Sequence, residues 1–364
     1  MQYRVAIIGT VGLPAQYGGW ESLSEQLVLN LDKTYDMTVY CSAFSYAERP
    51  KKFGNAKLVY IKLKANGFQS IPYDIVSMLR AYRESDVMLI LGVSGCIALP
   101  VIRLLTKKAI IVNIDGFEWK RAKWSPLIKK FLKFSERLAV RFADRIVTDN
   151  KVLRDYVLSE YGVDSTLIAY GGDQALKIEV DEEAAAQFGF LNSPYAFSVC
   201  RIEPENNIHL ILQAFSDNGI PLVLVGNWKQ SEYGSELQRR YSAVKNLFLL
   251  DPIYDPAKLA PLRSNCTLYV HGHSAGGTNP SLVEAMWLGL PIIAFDVSFN
   301  RASTEDKAEY FSSASHLESS VQALFQDEEK RRSLGNEMHA VAKSRYRWQG
   351  IASQYDELFQ SLIK

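Results

Sequence analysis

The sequence predicts an α/β protein of two domains, each a parallel sheet covered by helices on both faces, and three observations carry that prediction. The chain is 364 residues long, more than one ordinary hydrophobic core accommodates. Short apolar runs alternate with amphipathic helical periods along it, the pattern of strand–helix–strand crossovers. A polar, acidic stretch from Gly171 to Ser193, with Glu179, Asp181, Glu182 and Glu183, interrupts that alternation once.

The first half offers strands at Arg4–Gly9, Met37–Cys41, Lys57–Leu63, Asp86–Gly92, Ala109–Asp115, Arg145–Thr148 and Thr166–Tyr170. Helical periods such as Trp20–Leu31, Asp74–Arg83 and Asn150–Ser159 lie between several of them. The second half offers Tyr195–Cys200, Pro221–Gly226, Leu247–Pro252, Cys266–His271 and Pro291–Asp296. The interruption sets the boundary, giving a first domain over 1–170 and a second over 171–345. The segment 346–364 is a last helix with Ile351, Tyr355, Leu358, Phe359 and Leu362 on one face. From its residues alone it packs on either domain. In parallel sheets ligands bind beyond the carboxyl ends of the strands, so chemistry is expected in the loops that follow strands, facing a cleft between the two sheets.

Lys and Arg total 41 against 40 Asp and Glu, so no overall field favours nucleic acid. Cys41, Cys96, Cys200 and Cys266 are scattered without a CxxC pair, which reads as buried reduced thiols in the cytosol. The chain runs straight into a strand-like segment and has no apolar run near the ~20 residues of a membrane span. A cytoplasmic protein without signal peptide is expected.

Four loops carry candidate chemistry. Gly9-Thr-Val-Gly-Leu-Pro-Ala-Gln-Tyr-Gly-Gly19 follows the first strand and opens a helix near Trp20; its glycines bring backbone amides close to a ligand, and the helix start suits phosphate or a polar sugar. It is not GxGxxG, and no acidic residue ends the second strand, which disfavours a dinucleotide. Asp115 and Glu118, beside Phe117 and Trp119, resemble a sugar site, with aromatic faces for C–H surfaces and carboxylates for hydroxyls; the plain alternative is that Asp115 caps the next helix. Arg201 follows a strand directly, where a guanidinium holds phosphate bidentately unless it is only a surface ion pair. The richest stretch runs from His271 to Met286. There a glycine loop leads through Gly277, Thr278 and Asn279 to Pro280 and Ser281 at a helix start, an anion site. Glu284 lies one turn in, placed to accept two ribose hydroxyls or merely to favour the helix dipole. His271 and His273 lack further metal ligands nearby and read as lining.

The segments GTVGLPAQYGG, NIDGFEWKRAKWS, RIEPENN, HSAGGTNPSLVEAM and PIIAFDVSFNR together resemble the retaining GT-B glycosyltransferases of family 4, most of all the bacterial rhamnosyltransferase-type branch that builds surface polysaccharides. The resemblance spans nearly the whole chain with the motifs in order. It implies a GT-B fold of two Rossmann-like domains, with the last helix crossing back to the N-terminal domain. It implies that Gly18 and Gly19 lie against donor phosphates and acceptor, that Arg201 binds the donor diphosphate and that Glu284 binds the ribose. The donor/phosphate set is then Gly18, Gly19, Arg201, Asn206, Gly277, Thr278, Asn279, Ser281 and Glu284. The acceptor set is Tyr17, Asp115 and Glu118, and the catalytic set Asp115, Arg201 and Glu284.

Two positions depart from the family. Asn206 stands where many members carry a lysine, and Gly276 where many carry a first glutamate. Arg301 is a candidate to restore the lost positive charge. A small contact at Gly276 fits a 6-deoxy sugar, so the donor expected is dTDP-rhamnose. The implied acceptor is a saccharide on a polyprenyl diphosphate; no cofactor or metal is expected, there being no Asp-x-Asp pair. A UDP-hexose donor, a non-catalytic GT-B binding protein and, more distantly, a nicotinamide dehydrogenase are the alternatives.

From Trp119 to Arg145 nine cations, Lys120, Arg121, Lys123, Lys129, Lys130, Lys133, Arg137, Arg141 and Arg145, face only Glu136 and Asp144. With Leu127, Ile128, Phe131, Leu132, Phe134, Leu138 and Phe142 they make the 125–145 segment a basic amphipathic helix. Such a helix suits the anionic inner membrane surface, or is an ordinary solvated surface.

Overall fold

Strands that are apolar at every position need cover on both faces. Val87–Leu91 and Ala109–Ile114 are buried along their whole lengths. The computed structural model describes residues 2–16, 18–121, 124–180 and 188–363.

The first sheet has eight strands: β1 Arg4–Ile8, β2 Asp36–Ser42, β3 Lys52–Phe53, β4 Ala56–Ile61, β5 Val87–Leu91, β6 Ala109–Ile114, β7 Arg145–Thr148 and β8 Thr166–Leu167. Their order is β3-β4-β2-β1-β5-β6-β7-β8, parallel throughout except for β3 against β4. The second sheet has six parallel strands: β9 Ala196–Val199, β10 Leu222–Val225, β11 Leu247–Leu250, β12 Leu268–His271, β13 Ile292–Phe295 and β14 Glu309–Phe311, in the order β11-β10-β9-β12-β13-β14. The strands β3 and β14 escape the sequence reading because two or three residues, partly polar, make no periodic signal. β8 is shorter than expected for the same reason.

The helices of the first sheet's half are α1 Gly19–Leu31, α2 Ser70–Glu84, α3 Leu99–Leu105, α4 Pro126–Phe142 and α5 Lys151–Tyr161. Those that follow are α6 Ile208–Asn218, α7 Glu232–Tyr241, α8 Pro256–Ser264, α9 Pro280–Trp287, α10 Ser298–Thr304, α11 Ala314–Gln326, α12 Glu328–Arg345 and α13 Trp348–Leu362. The chain divides into two units, Met1–Tyr170 with Trp348–Lys364, and Gly171–Arg347.

The apolar face of α13 decides its place. Ile351, Tyr355, Leu358 and Phe359 are buried, and the helix packs beside α1 in the first unit. Asn113 Nδ2 at the end of β6 donates to Tyr355 Oη at 2.7 Å. Tyr35 Oη donates to Asp356 at 2.5 Å while its ring meets Phe359 edge-on. These polar contacts fix the helix at one register, which apolar packing alone leaves loose.

Both sheets reverse their strand order once. In the first, β1 lies between β2 and β5; in the second, β9 lies between β10 and β12. At such a switch point the loops after neighbouring strands leave to opposite sides and open a crevice. The loops after β1, β5, β9 and β12 are therefore the ones placed to hold ligands.

Candidate functional site

In the second unit the loops after β9 and β12 meet at the switch point. A Cβ on Gly272 would stand 2.1 Å from the Asn206 carbonyl oxygen, so only glycine lets the two loops approach this closely. Asn207 Nδ2 donates to the Gly272 carbonyl at 2.9 Å, and Ser274 donates through N and Oγ to the Glu205 carbonyl, each at 2.8 Å. Asn300, buried, donates to the carbonyls of His273 and Phe295. The glycine loop is thus tied on both sides before α9 begins.

Gly276 sits at φ +119°, a conformation that side chains rarely adopt. A glutamate at this position would be strained by the backbone conformation. Gly277 and Thr278 are buried, while Asn279 and Ser281 are half-buried. Asn279 precedes Pro280 and makes no side-chain cap, so its side chain leaves the amides of the first turn uncovered.

Glu284 lies one turn into α9. Its carboxylate is ion-paired with Arg263 at the end of α8 and accepts from Gln174 Nε2 at 2.7 Å. Sequence reasoning missed both partners. Arg201 keeps its side chain about one-third exposed, with Nε 3.8 Å from Glu203 Oε2.

Three expectations need correcting in this unit. Asn206 is buried and spends its side-chain amide on the Arg201 carbonyl at 2.6 Å; it shapes the loop that carries Arg201 instead of facing a phosphate. Arg301 restores no charge to the site. It holds Asp296 with Nε and Nη2 at 2.6 and 3.0 Å, meets Asp306 at 3.0 Å and lies over the Tyr310 ring. His271 and His273 lie stacked, ring centroids 4.3 Å apart and planes 10° from parallel. His271 is fully buried with neither ring nitrogen hydrogen-bonded among the described residues, and burial holds its pKa down at about 3. Burial keeps His271 neutral, and its ring is packed against that of His273 instead of lining a sugar site.

In the first unit the loop after β1 is held by α1. Glu21, in the first turn, accepts from the Val11 amide at 2.7 Å and from Thr10 Oγ1 at 3.2 Å. Burial pushes its carboxyl up, partly offset by those donors. Glu25 takes the Ala15 amide at 2.7 Å. A Cβ on Gly18 would stand 2.2 Å from Glu21 Oε2. The carboxylate therefore occupies the space in front of Gly18, and several loop amides are already satisfied by protein. Tyr17 lies outside the described residues. Trp20 meets Tyr170 at 6.1 Å between ring centroids and comes within 3.9 Å of where a Gly92 Cβ would be, on the loop after β5.

Asp115 follows β6 and is half-buried; burial above all, with Asp115 and Asp149 adding to it, pushes up the hydroxyl of Tyr170. Glu118 pairs with Arg121 at 2.8 Å. Phe117 and Trp119 do not offer their faces as expected. Phe117 packs edge-on against Tyr156 at 4.6 Å, and Lys120 lies over both Phe117 and Trp119. Lys133 lies over Trp119, Tyr156 and Tyr161 at 4.8, 4.7 and 4.9 Å. Cation–π attraction takes the ring faces that the sequence assigned to a sugar. Glu136, buried beneath, accepts from Tyr156 and Tyr161 at 2.6 Å each and from Lys133. Lys133 therefore points inward and is no part of a membrane-facing surface.

The rest of α4 matches the basic amphipathic reading in distribution. Leu127, Lys130, Phe134, Arg137 and Arg141 are exposed along one stripe, and Val101, Leu104 and Leu105 are exposed on the adjoining α3. A groove of about 1230 Å³, lined by Trp119, Lys120, Lys129, Lys130, Lys133 and Arg137 among others, runs along α4. No helix among the described residues is long and apolar enough to cross a membrane.

Comparison with known proteins places this geometry. Residues 180–340 match the family model for glycosyl transferases group 1, and residues 2–173 match a domain of unknown function (DUF1972). A search of curated sequences finds no match. Sucrose-phosphate synthase from Thermosynechococcus elongatus superposes with a TM-score of 0.82 at 18% identity, covering 99% of each chain. Anabaena Alr3699/HepE in complex with UDP-glucose gives 0.78 at 14% identity over 99% of this chain and 100% of that one. The catalytic domain of starch synthase IV from Arabidopsis thaliana, bound to ADP and acarbose, gives 0.74 at 14% identity over 100% and 99%. The chain is a glycosyltransferase of the GT-B fold, with a group 1 glycosyltransferase domain in its second unit.

Proposed function

We propose that this protein is a retaining glycosyltransferase of family 4 that moves rhamnose from dTDP-rhamnose to a lipid-linked saccharide in surface polysaccharide synthesis. The observation that carries the transferase reading is the β12–loop–α9 segment. It brings an uncapped helix start, Glu284 one turn in, and the Arg201 loop together at a switch point. Amides of the 277–281 segment and the Arg201 guanidinium hold the donor diphosphate and stabilise the charge it gains on leaving. Glu284 holds the ribose. The acceptor hydroxyl oxygen forms its bond to the sugar's C1 on the face that the diphosphate leaves, and a diphosphate oxygen takes the hydroxyl proton. Asp115 orients the acceptor. The rhamnose assignment is supported by the motif resemblance and by the absence of a side chain at Gly276. A UDP-hexose donor is the second reading, favoured by the UDP-glucose bound in Anabaena Alr3699/HepE.

A thermal-shift panel of dTDP-, UDP- and GDP-sugars separates these, since a ligand that binds only the folded state raises the melting temperature. Protection by a UDP-hexose and none by dTDP-rhamnose sinks the rhamnose assignment and leaves the transferase. With amides and one guanidinium on the diphosphate, transfer is expected to survive EDTA; loss of turnover restored by Mg²⁺ or Mn²⁺ refutes this phosphate site.

For the acceptor, the proposal places the exposed α4 stripe on the cytoplasmic face of the membrane, where a polyprenyl diphosphate presents its sugar. Each cation near an anionic leaflet contributes about 1 kcal/mol, and salt shortens the reach of that attraction from ~10 Å at 0.1 M to ~3 Å at 1 M. The protein is expected to sediment with anionic liposomes, to be released by high salt, and to lose binding when Lys130, Arg137 and Arg141 are all changed to Glu. Equal recovery in the supernatant with anionic and neutral lipid identifies the stripe as solvated surface.

A further inference from the structure

Glu284 is not an empty receptor for a ribose. Its Oε2 is held by Arg263 Nη1, and its Oε1 accepts from Gln174 Nε2 at 2.7 Å. The two partners differ in how readily they yield. Arg263 is 11% exposed and Glu284 17%, so removing the guanidinium from its carboxylate would strand a charge in a place water hardly reaches. Gln174 is neutral, and a hydroxyl replaces its N–H as a donor without change of charge. Gln174 also sits on a segment whose position is set by packing: a Cβ on Gly172, two residues earlier, would stand 2.5 Å from the Val283 carbonyl oxygen in α9. The 172–174 segment therefore lies against the first turns of α9, and its amide occupies the place of a donor hydroxyl.

A ribose offers adjacent 2′- and 3′-hydroxyls, which engage a carboxylate best when each takes one oxygen. Arg263 takes one lone pair of Oε2 as a nearly buried charged partner, whereas Oε1 is held by a neutral amide that yields more readily, which favours Oε1 as the oxygen a ligand hydroxyl takes. We propose that Arg263 is a specificity-determining residue: by holding one oxygen of Glu284 it makes the site read a single ribose hydroxyl, so that 2′-deoxyribonucleoside diphosphates bind as well as their ribonucleoside counterparts. Gln174 is the neutral placeholder that this one hydroxyl displaces. The inference rests on Glu284 being the ribose contact and adds the class of nucleotide it admits.

The test is calorimetry with UDP and dUDP, which share base and diphosphate and differ only in the 2′-hydroxyl. The wild-type protein is expected to bind the two within about threefold, whereas a site reading both hydroxyls rejects dUDP by about tenfold or more. Arg263→Met removes every donor from Oε2 and is expected to raise the preference for UDP by about tenfold. Arg263→Lys keeps a cation on the carboxylate and should keep the wild-type ratio. Gln174→Ala is expected to tighten both nucleotides. A tenfold preference of the wild-type protein for UDP overturns the proposal alone if Glu284→Gln still weakens both ligands. Unchanged affinity in Glu284→Gln overturns the ribose contact, and the proposal with it. The wild-type comparison needs no variant to fold.

Discussion

Arg201→Ala is expected to lower the turnover number by about 10²–10³-fold, the loss typical when one donor to a developing oxyanion is removed. Two features of the structure support so large an effect. The residue follows β9 at the switch point of the second sheet, and its loop is pinned: Asn206 and the Glu203 amide both donate to the Arg201 carbonyl. The backbone is fixed while the side chain stays partly exposed near Glu203. A ligand diphosphate offers a doubly charged, bidentate partner closer than the Glu203 carboxylate at 3.8 Å. Arg201→Lys should recover little, because an ammonium is a point charge without the guanidinium fork. Binding separates a diphosphate contact from a structural one. Arg201→Ala should weaken a nucleoside diphosphate clearly and the monophosphate hardly at all. Equal weakening of both would mean that the substitution disturbs the loop and that Arg201 does not hold the second phosphate.

The two-sheet architecture was legible because parallel strands buried on both faces leave apolar runs, unbroken in β5 and β10 and interrupted by at most one polar residue in β1, β6, β9 and β12. Loop positions followed from strand ends, so Arg201, Asp115 and the segment before Glu284 were found without structure. What stayed hidden is how each candidate side chain is already used. Glu284 takes partners 21 residues and 110 residues away in sequence, and no local pattern carries such distances. Lys133 read as one cation among nine on a basic helix. Its cage is assembled from Trp119 on one loop and Tyr156 and Tyr161 on α5, with Glu136 beneath. Arg301 read as spare charge because Asp296 and Asp306, five residues to either side, are a match only once α10 turns between them. Glu21 was the recoverable omission. A carboxylate in the first turn after a glycine loop is placed to take that loop's amides, and it does.

The last expectation concerns Asp74, buried in α2 at 3% exposure. Burial pushes its carboxyl up to about 8, with the Gly95 amide pulling it down in part. Tyr73 and Cys96 beside it are themselves pushed up by burial and by Asp74, so neither supplies a counter-charge. In the unfolded chain the same carboxyl titrates near ~3.9. Between those two values the folded protein holds a proton that the unfolded chain has released. Stability from this group is therefore full below about pH 4 and falls as pH rises toward 8, at about 1.4 kcal/mol per pH unit. Asp74→Asn removes the ionisation and keeps an oxygen for the Gly95 amide. Measured against wild type by urea denaturation, the variant should be close to neutral near pH 4 and more stable by several kcal/mol near pH 8. Taking the difference between the two proteins cancels the titration of other groups, Glu21 included. An offset that stays constant across this range would show that Asp74 is ionised throughout in the folded state. The Gly95 amide that bonds Asp74 lies in the loop that follows β5. Gly95 and Gly92 share that loop, and Gly92 faces Trp20 at the start of α1. Loss of the proton strengthens the Gly95 amide's hydrogen bond to the carboxylate but strands a charge in the core, so the cost is expected as lower global stability and not as a looser β5 loop.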